Sequence, residues 1–310
     1  MEQIYVNSNV NKVISADVKN NTLNHGYLLI SNDKFKINKF ADFAACTILA
    51  QNDFQGVTAQ KILHNNHADV KFYPSQNKSI LTDDVNKIVE DSFVLPMEGD
   101  KKIYVLKNFE QATIQAQNKL LKTLEEPCSS VIFIITTTNE SGVLATIKSR
   151  CKKITERATQ ESDVTRFIKS QSSLTDDNLK KILQTCEGNL TIINEYLSND
   201  AYLQMVNLSE EIFNTLVNSS NVLALSSKMQ KFKANIEDLL NIMLLTLRKM
   251  FENKAHNKQT YNINYSSKAI VEISKVINNA IKKYKSNCNL NTICDGVLMG
   301  ILEVRYKCQK

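Results

Sequence analysis

A doubly wound α/β domain followed by an all-helical remainder is the architecture this chain predicts. Three observations carry it. Apolar runs of strand length alternate with helical periodicity over residues 1–155. One of these runs, Val131–Ile135, is apolar at every position, as strands of a parallel sheet covered on both faces are. Strand signals then vanish from about Asp163 onward. The 310 residues include only 7 Gly and 3 Pro, too few for the many turns of an all-β fold.

Taken in chain order, Tyr27–Ile30 is a short apolar run after His25 and Gly26, the expected first strand. Asn38–Leu49 carries Phe40, Phe43, Ala44, Ile48 and Leu49 at helical spacing. A polar stretch fills residues 50–68. Asp69–Tyr73 alternates as a half-buried strand does, and Pro74 stops it because proline has no amide to donate. Thr82 opens a helix that Thr82 or Asp83 can cap, with Val85, Ile88 and Val89 as its buried stripe. Lys102–Leu106 is the next strand, and Ala112–Leu124 a helix closed by Glu125, Glu126 and Pro127.

Beyond Asp163 the periodicity is helical. Asp163–Ser170, Thr175–Thr185 and Thr191–Leu197 read as short helices, interrupted at Glu187, Gly188 and Asn189. Ser198, Asn199 and Asp200 read as a linker. Apolar stripes at Ile236–Met250, Ile270–Ile281 and Ile293–Val304 predict a larger helical domain. Three parts are expected: 1–155, 156–203 and 204–310.

The formal charge of +6 permits contact with a polyanion without demanding it. Seven cysteines, an odd number with no Cys-x-x-Cys pair, argue against a disulfide framework and against a zinc site. His25, His64 and His67 have no metal-like spacing either, so no metal is expected. No apolar run approaches the ~20 residues of a membrane helix, and Met1–Val10 lacks a signal-peptide pattern. A cytoplasmic protein without membrane contact is the expectation.

The most specific stretch runs from Asn118 to Cys151. It holds LLKTLEEP at Leu120–Pro127, the apolar strand, Thr136, Thr137 and Thr138, and then Ser149-Arg150-Cys151. This resembles the clamp-loader branch of the AAA+ ATPases, which has these segments at this spacing and a sensor-1 Thr at the strand end. HGYL at His25–Leu28 is similar to that family's HAYL. HADV at His67–Val70, KSI at Lys78–Ile80 and NCN at Asn287–Asn289 resemble segments of its delta-prime type. The resemblance implies an AAA+ α/β domain, a small helical lid domain at 156–203 and a helical collar domain at 204–310. It also implies that a four-Cys zinc module of relatives is lost, since only Cys46 remains there and the intervening loop is short.

The departures from the family carry the functional expectation. An active phosphate loop follows HAYL as G-x-x-x-x-G-K-T/S, whose glycines let amides wrap phosphate while its Lys and hydroxyl serve charge and Mg²⁺. Here the segment is Ser31–Asn38 and has no glycine. Ile37 and Asn38 stand at the Lys and Thr positions, Lys34 and Lys36 are displaced, and Asp33 adds a negative charge beside any phosphate. Lys107 and Asn108 stand where a metal-holding Asp and a water-orienting Glu are expected. Thr191 stands where the family's sensor-2 Arg follows a Gly-Ser-Leu.

The resemblance therefore implies a subunit that neither hydrolyses ATP nor holds a cofactor. Arg150, flanked by Ser149 and Cys151, is implied to act as an arginine finger in a neighbour's ATP site. Arginine suits that role because it is always charged and bidentate. The bland reading of Arg150 is an ion pair with a nearby carboxylate. The implied partners are gamma/tau-type ATPase subunits, a delta subunit, the sliding clamp and primer-template DNA, in the bacterial DNA polymerase III clamp loader. Two rivals are a weak NTPase with an irregular phosphate loop and a clamp-opening delta-type subunit. Thr136, Thr137 and Thr138 read as satisfied strand-end residues, and Glu125 and Glu126 as a helix end.

Overall fold

The computed structural model of the chain describes residues 1–75, 79–171, 179, 182–183, 186, 188–198, 200–255, 265–286 and 288–308. Lys78, most of Thr175–Thr185, Glu187, Asn199 and Asn287 lie outside these. The described residues group into two units, Met1–Ser170 with Gly188–Ile192, and Gln171–Glu187 with Ile193–Lys310.

In the first unit the predicted apolar runs become strands of one sheet. They are β1 (Gly26–Ile30), β2 (Val70–Tyr73), β3 (Lys102–Leu106), β4 (Val131–Thr137) and β5 (Lys152–Thr155). The order is β2-β3-β4-β1-β5, and every pair is parallel. β3 and β4 are buried at every position, the signature of central strands covered on both faces. Tyr104 and Phe133 stack across the β3–β4 register at 5.4 Å between ring centres. β5 escapes a pattern search because it is short and buries only Ile154.

The helices of this unit are α1 (Glu2–Val6), α2 (Asn9–Lys19), α3 (Lys34–Ala50), α4 (Val57–Leu63), α5 (Thr82–Ser92), α6 (Ile114–Glu125), α7 (Ala145–Lys148) and α8 (Glu161–Gln171). Five depart from expectation. α1 and α2 carry no strong apolar stripe, yet Tyr5, Val10 and Ile14 are fully buried. α3 begins four residues before Asn38. α4 occupies the polar stretch, entered from Gly56 and anchored by Ala59 and Ile62, so the intervening segment is not a plain loop. Neither Thr82 nor Asp83 caps α5. Leu81 is its N-cap residue, and the Asp84 carboxylate accepts the Leu81 amide at 3.0 Å.

In the second unit α10 (Asp200–Thr215), α11 (Val222–Gln230), α12 (Ile236–Ala255), α13 (Ser267–Lys285) and α14 (Leu290–Cys308) follow α9 (Leu190–Ser198), whose first residues belong to the first unit. The stripe Ile236, Leu239, Leu240, Met243, Leu247 and Met250 is buried as its spacing predicts. Among the described residues no helix is long and apolar enough to cross a membrane.

Candidate functional site

Two places carry the chemistry the motifs point to, at opposite edges of the sheet. The carboxyl edge holds the ends of β1, β3 and β4. The amino edge holds the turn before β5.

At the carboxyl edge β1 passes into α3 through only three residues, Ser31, Asn32 and Asp33. A phosphate loop needs glycines at positive φ so that successive amides curve around an anion. None of Ser31–Asn38 adopts positive φ. Instead Asp33 ends the connection as the N-cap residue of α3, its Oδ1 accepting the Lys36 amide at 3.0 Å. This cap is why the helix starts at Lys34.

Asp33 is almost fully buried and serves a second helix as well. Its Oδ2 accepts the Leu190 amide at 2.6 Å, and its Oδ1 accepts the Thr191 amide at 3.1 Å and the Thr191 hydroxyl at 2.8 Å. The Thr191 Oγ1 in turn accepts the Phe35 amide at 2.8 Å. Amides at two helix N-termini are thus taken by one side chain.

The neighbouring positions are closed in the same way. Ile37 is fully buried in the core. Lys36 lies 3.5 Å from Glu156 and donates to the Arg157 carbonyl. The Thr136 hydroxyl is buried, donates to Asn38 Oδ1 at 2.7 Å and accepts the Asn108 amide at 2.9 Å. Asn38 Nδ2 donates to Asn108 Oδ1 at 3.0 Å. Asn108 adopts a left-handed conformation at φ 54°. Lys107 pairs with Asp42 at 2.5 Å, and burial still holds the Asp42 carboxyl above its ordinary range. Thr137 accepts the Asn139 amide, and Thr138 donates to Glu110. An open cavity of about 820 Å³ lies nearby, lined by Ile4, Lys12, Phe40, Thr155 and Thr159 among others, and the Lys36 amine that reaches it is already paired.

At the amino edge α7 is a single turn pinned by buried Ile147. Cys151 is pinned too. Gly26 at the start of β1 approaches it so closely that a Cβ there would lie 3.0 Å from its sulfur. Burial pushes the Cys151 thiol up to about 12, so it is no nucleophile at neutral pH. Between these anchors Ser149 is exposed, its hydroxyl donating to the Thr146 carbonyl. Arg150 donates to the Thr146 carbonyl at 2.7 Å and pairs with Glu125 at 2.5 Å, its side chain one-third exposed. The ion pair is a finding of its own: Glu125, read from sequence as a helix end, holds the guanidinium. A pair this exposed stabilises by at most ~1 kcal/mol.

Sequence reasoning placed Asn38 and Asn108 at corresponding motif positions and left Thr136, Thr137 and Thr138 together at the strand end; the fold brings Thr136 to Asn38 and Asn108. It missed the role of Asp33 as a double cap, although Asp before a helical run is an N-cap signal. Among the described residues no three His, Cys, Asp or Glu side chains form a group that could hold a metal.

Fold and site define a doubly wound parallel α/β module of AAA+ type with a helical carboxyl-terminal region. The chain belongs to the family described as DNA polymerase III, delta subunit, which matches residues 6–160, half of its length. It is 29% identical over 191 residues to DNA polymerase III subunit gamma/tau of Mycoplasma pneumoniae, covering 58% of this chain and 28% of the relative. It is 26% identical over 146 residues to DNA polymerase III subunit delta' of Bacillus subtilis, covering 47% of this chain and 44% of the relative. The matches thus span less than half the length of these relatives. A DNA polymerase III gamma subunit-related protein from Thermotoga maritima shares the fold at a TM-score of 0.54 and 15% identity, over 94% of this chain and 98% of that one.

Proposed function

We propose that this chain is a non-ATPase subunit of a DNA polymerase III clamp loader, of the delta-prime type, that lends Arg150 to the ATP site of a neighbouring subunit. The observation that carries the reading is the start of α3 at Lys34, where the cap by Asp33 leaves no glycine loop to wrap a triphosphate. Lys107 and Asn108 supply no carboxylate for Mg²⁺, which argues against the weak-NTPase alternative. Family membership supports a clamp-loader role, and the segments at Leu120–Pro127 and Ser149–Cys151 weigh against a delta-type clamp opener.

In this reading residues 1–155 are a degenerate AAA+ domain, 156–203 a small lid and 204–310 a collar that joins other subunits. Gamma/tau-type subunits bind ATP, and a delta subunit completes the assembly. The assembly opens a sliding clamp and places it on primer-template DNA. DNA contact is to phosphates, independent of sequence and weakened by salt. Arg150 leaves Glu125 for the γ-phosphate of the neighbour, an exchange of a screened, half-exposed pair for a charge-assisted, water-excluded one.

The test is Arg150→Ala in the complex reconstituted with gamma/tau-type subunits. Assembly should be unchanged, and clamp- and DNA-stimulated ATPase should fall by at least about 10³-fold. An unchanged rate removes the finger from the account.

A further inference from the structure

We propose that Asp33 is a fixed internal anion: its carboxylate holds Leu190 and Thr191 against the amino end of α3, a tie that needs no nucleotide and does not respond to one. The inference rests on the reading of Ser31–Asn38 as a segment without bound phosphate and adds what fills its place.

A helix N-terminus carries unpaired amides and a partial positive charge, and it favours an anion. The amino ends of α3 and α9 both meet Asp33. The four bonds to its carboxylate come from the Lys36 amide, the Leu190 amide, the Thr191 amide and the Thr191 hydroxyl, at 2.6 to 3.1 Å. Asp33 and Leu190 stand 157 residues apart in the chain, so no local turn imposes their contact. Thr191 completes the tie, because its hydroxyl donates to the carboxylate and accepts from Phe35.

A second feature fixes the same turn. Gly188 sits at φ +78°, and a Cβ there would lie 2.3 Å from the Thr159 carbonyl. The Gly188 carbonyl accepts the Thr159 amide at 3.3 Å. Only glycine brings the turn this close. The turn that presents Leu190 and Thr191 is therefore set from one side by Gly188 and held from the other by Asp33. Asp33 and Thr191 are positioning residues, and the segment they fix is indifferent to ATP.

The experiment is amide hydrogen exchange on the full chain at Leu190 and Thr191, in wild type, Asp33→Ala, Asp33→Asn and Asp33→Glu. In wild type both amides should exchange slowly and at the same rate with or without inorganic phosphate or Mg·ATP. In Asp33→Ala the Leu190 amide should exchange roughly tenfold faster, the effect of a lost cap, Thr191 should speed up less because its amide also donates to Asn189 Oδ1 at 2.9 Å, and millimolar phosphate should restore part of the protection. Where the alanine variant does not fold, Asp33→Asn provides the reading. Its amide group replaces one acceptor oxygen, so at least one of the two amides should speed up. Asp33→Glu should keep partial protection because the charge remains. Equal exchange in wild type and the alanine or asparagine variant overturns the proposal, as does phosphate slowing wild type as much as Asp33→Ala. Slowing of wild-type exchange by Mg·ATP would instead break the reading of an unliganded segment.

Discussion

At the carboxyl ends of β1, β3 and β4, Asp33, Asn38, Asn108, Thr136 and Thr191 are satisfied by one another or by backbone. At the amino end of β5, Arg150 keeps a third of its side chain in solvent and leans on one exposed carboxylate. Both places descend from the same resemblance, yet they treat polar groups in opposite ways. A buried group whose partners all lie in the same chain is committed to that chain, because leaving a partner unpaired is expensive. A guanidinium one-third exposed, with a replaceable partner, stays available at little cost. The difference separates a position that has become structural from one that can still serve a second protein.

The largest expected effect is the loss of stimulated ATPase in Arg150→Ala, and it falls entirely on the open side of the comparison. Next comes Lys107→Ala on the closed side. It leaves the Asp42 carboxylate to Lys39, at 3.9 Å, and should destabilise by about 2–3 kcal/mol, below the value for a fully buried pair. This loss carries a pH signature. Burial raises Asp42 above its ordinary range, so the folded chain binds its proton more tightly than the unfolded chain does. The penalty is therefore present at neutral pH and shrinks as pH falls through the raised pKa. Denaturant midpoints of both proteins across pH check it, and a pH-independent gap would contradict it.

Thr136→Val keeps the shape but strips a hydroxyl from between Asn38 and Asn108, and should cost about 1–3 kcal/mol. Urea unfolding of the isolated chain measures it, and a neutral result would show that this network is not saturated. The smallest effect belongs to Glu125→Gln, with less than about 1 kcal/mol lost in the same assay. The variant should leave the ATPase of the assembled complex intact. A rate as low as that of Arg150→Ala would mean that Glu125 itself is needed to aim the guanidinium.

The parts of the fold legible in sequence are those whose signal is local. β1, β3 and β4 are apolar runs between polar boundaries, and the stripe of α12 is visible over four turns. α4 was not legible because only Ala59 and Ile62 face inward, and β5 because Ile154 alone does. The candidate site divides likewise. Missing glycines and carboxylates are read directly from Ser31–Asn38 and from Lys107 and Asn108. What fills the gap is not readable, since Asp33 and Thr191 are separated by 158 positions and only the fold makes them neighbours. An ion pair of Arg150 with a carboxylate was foreseen as its bland reading, but that the carboxylate is Glu125 was hidden for the same reason, two motif ends joined only when α6 and α7 pack.

Calorimetric titration of the isolated full chain with Mg·ATP tests the central claim most directly. With the Phe35, Lys36, Leu190 and Thr191 amides already taken and no carboxylate at Lys107 or Asn108 to hold the metal, no saturable heat is predicted at any accessible concentration. A one-to-one isotherm with micromolar Kd would contradict the account.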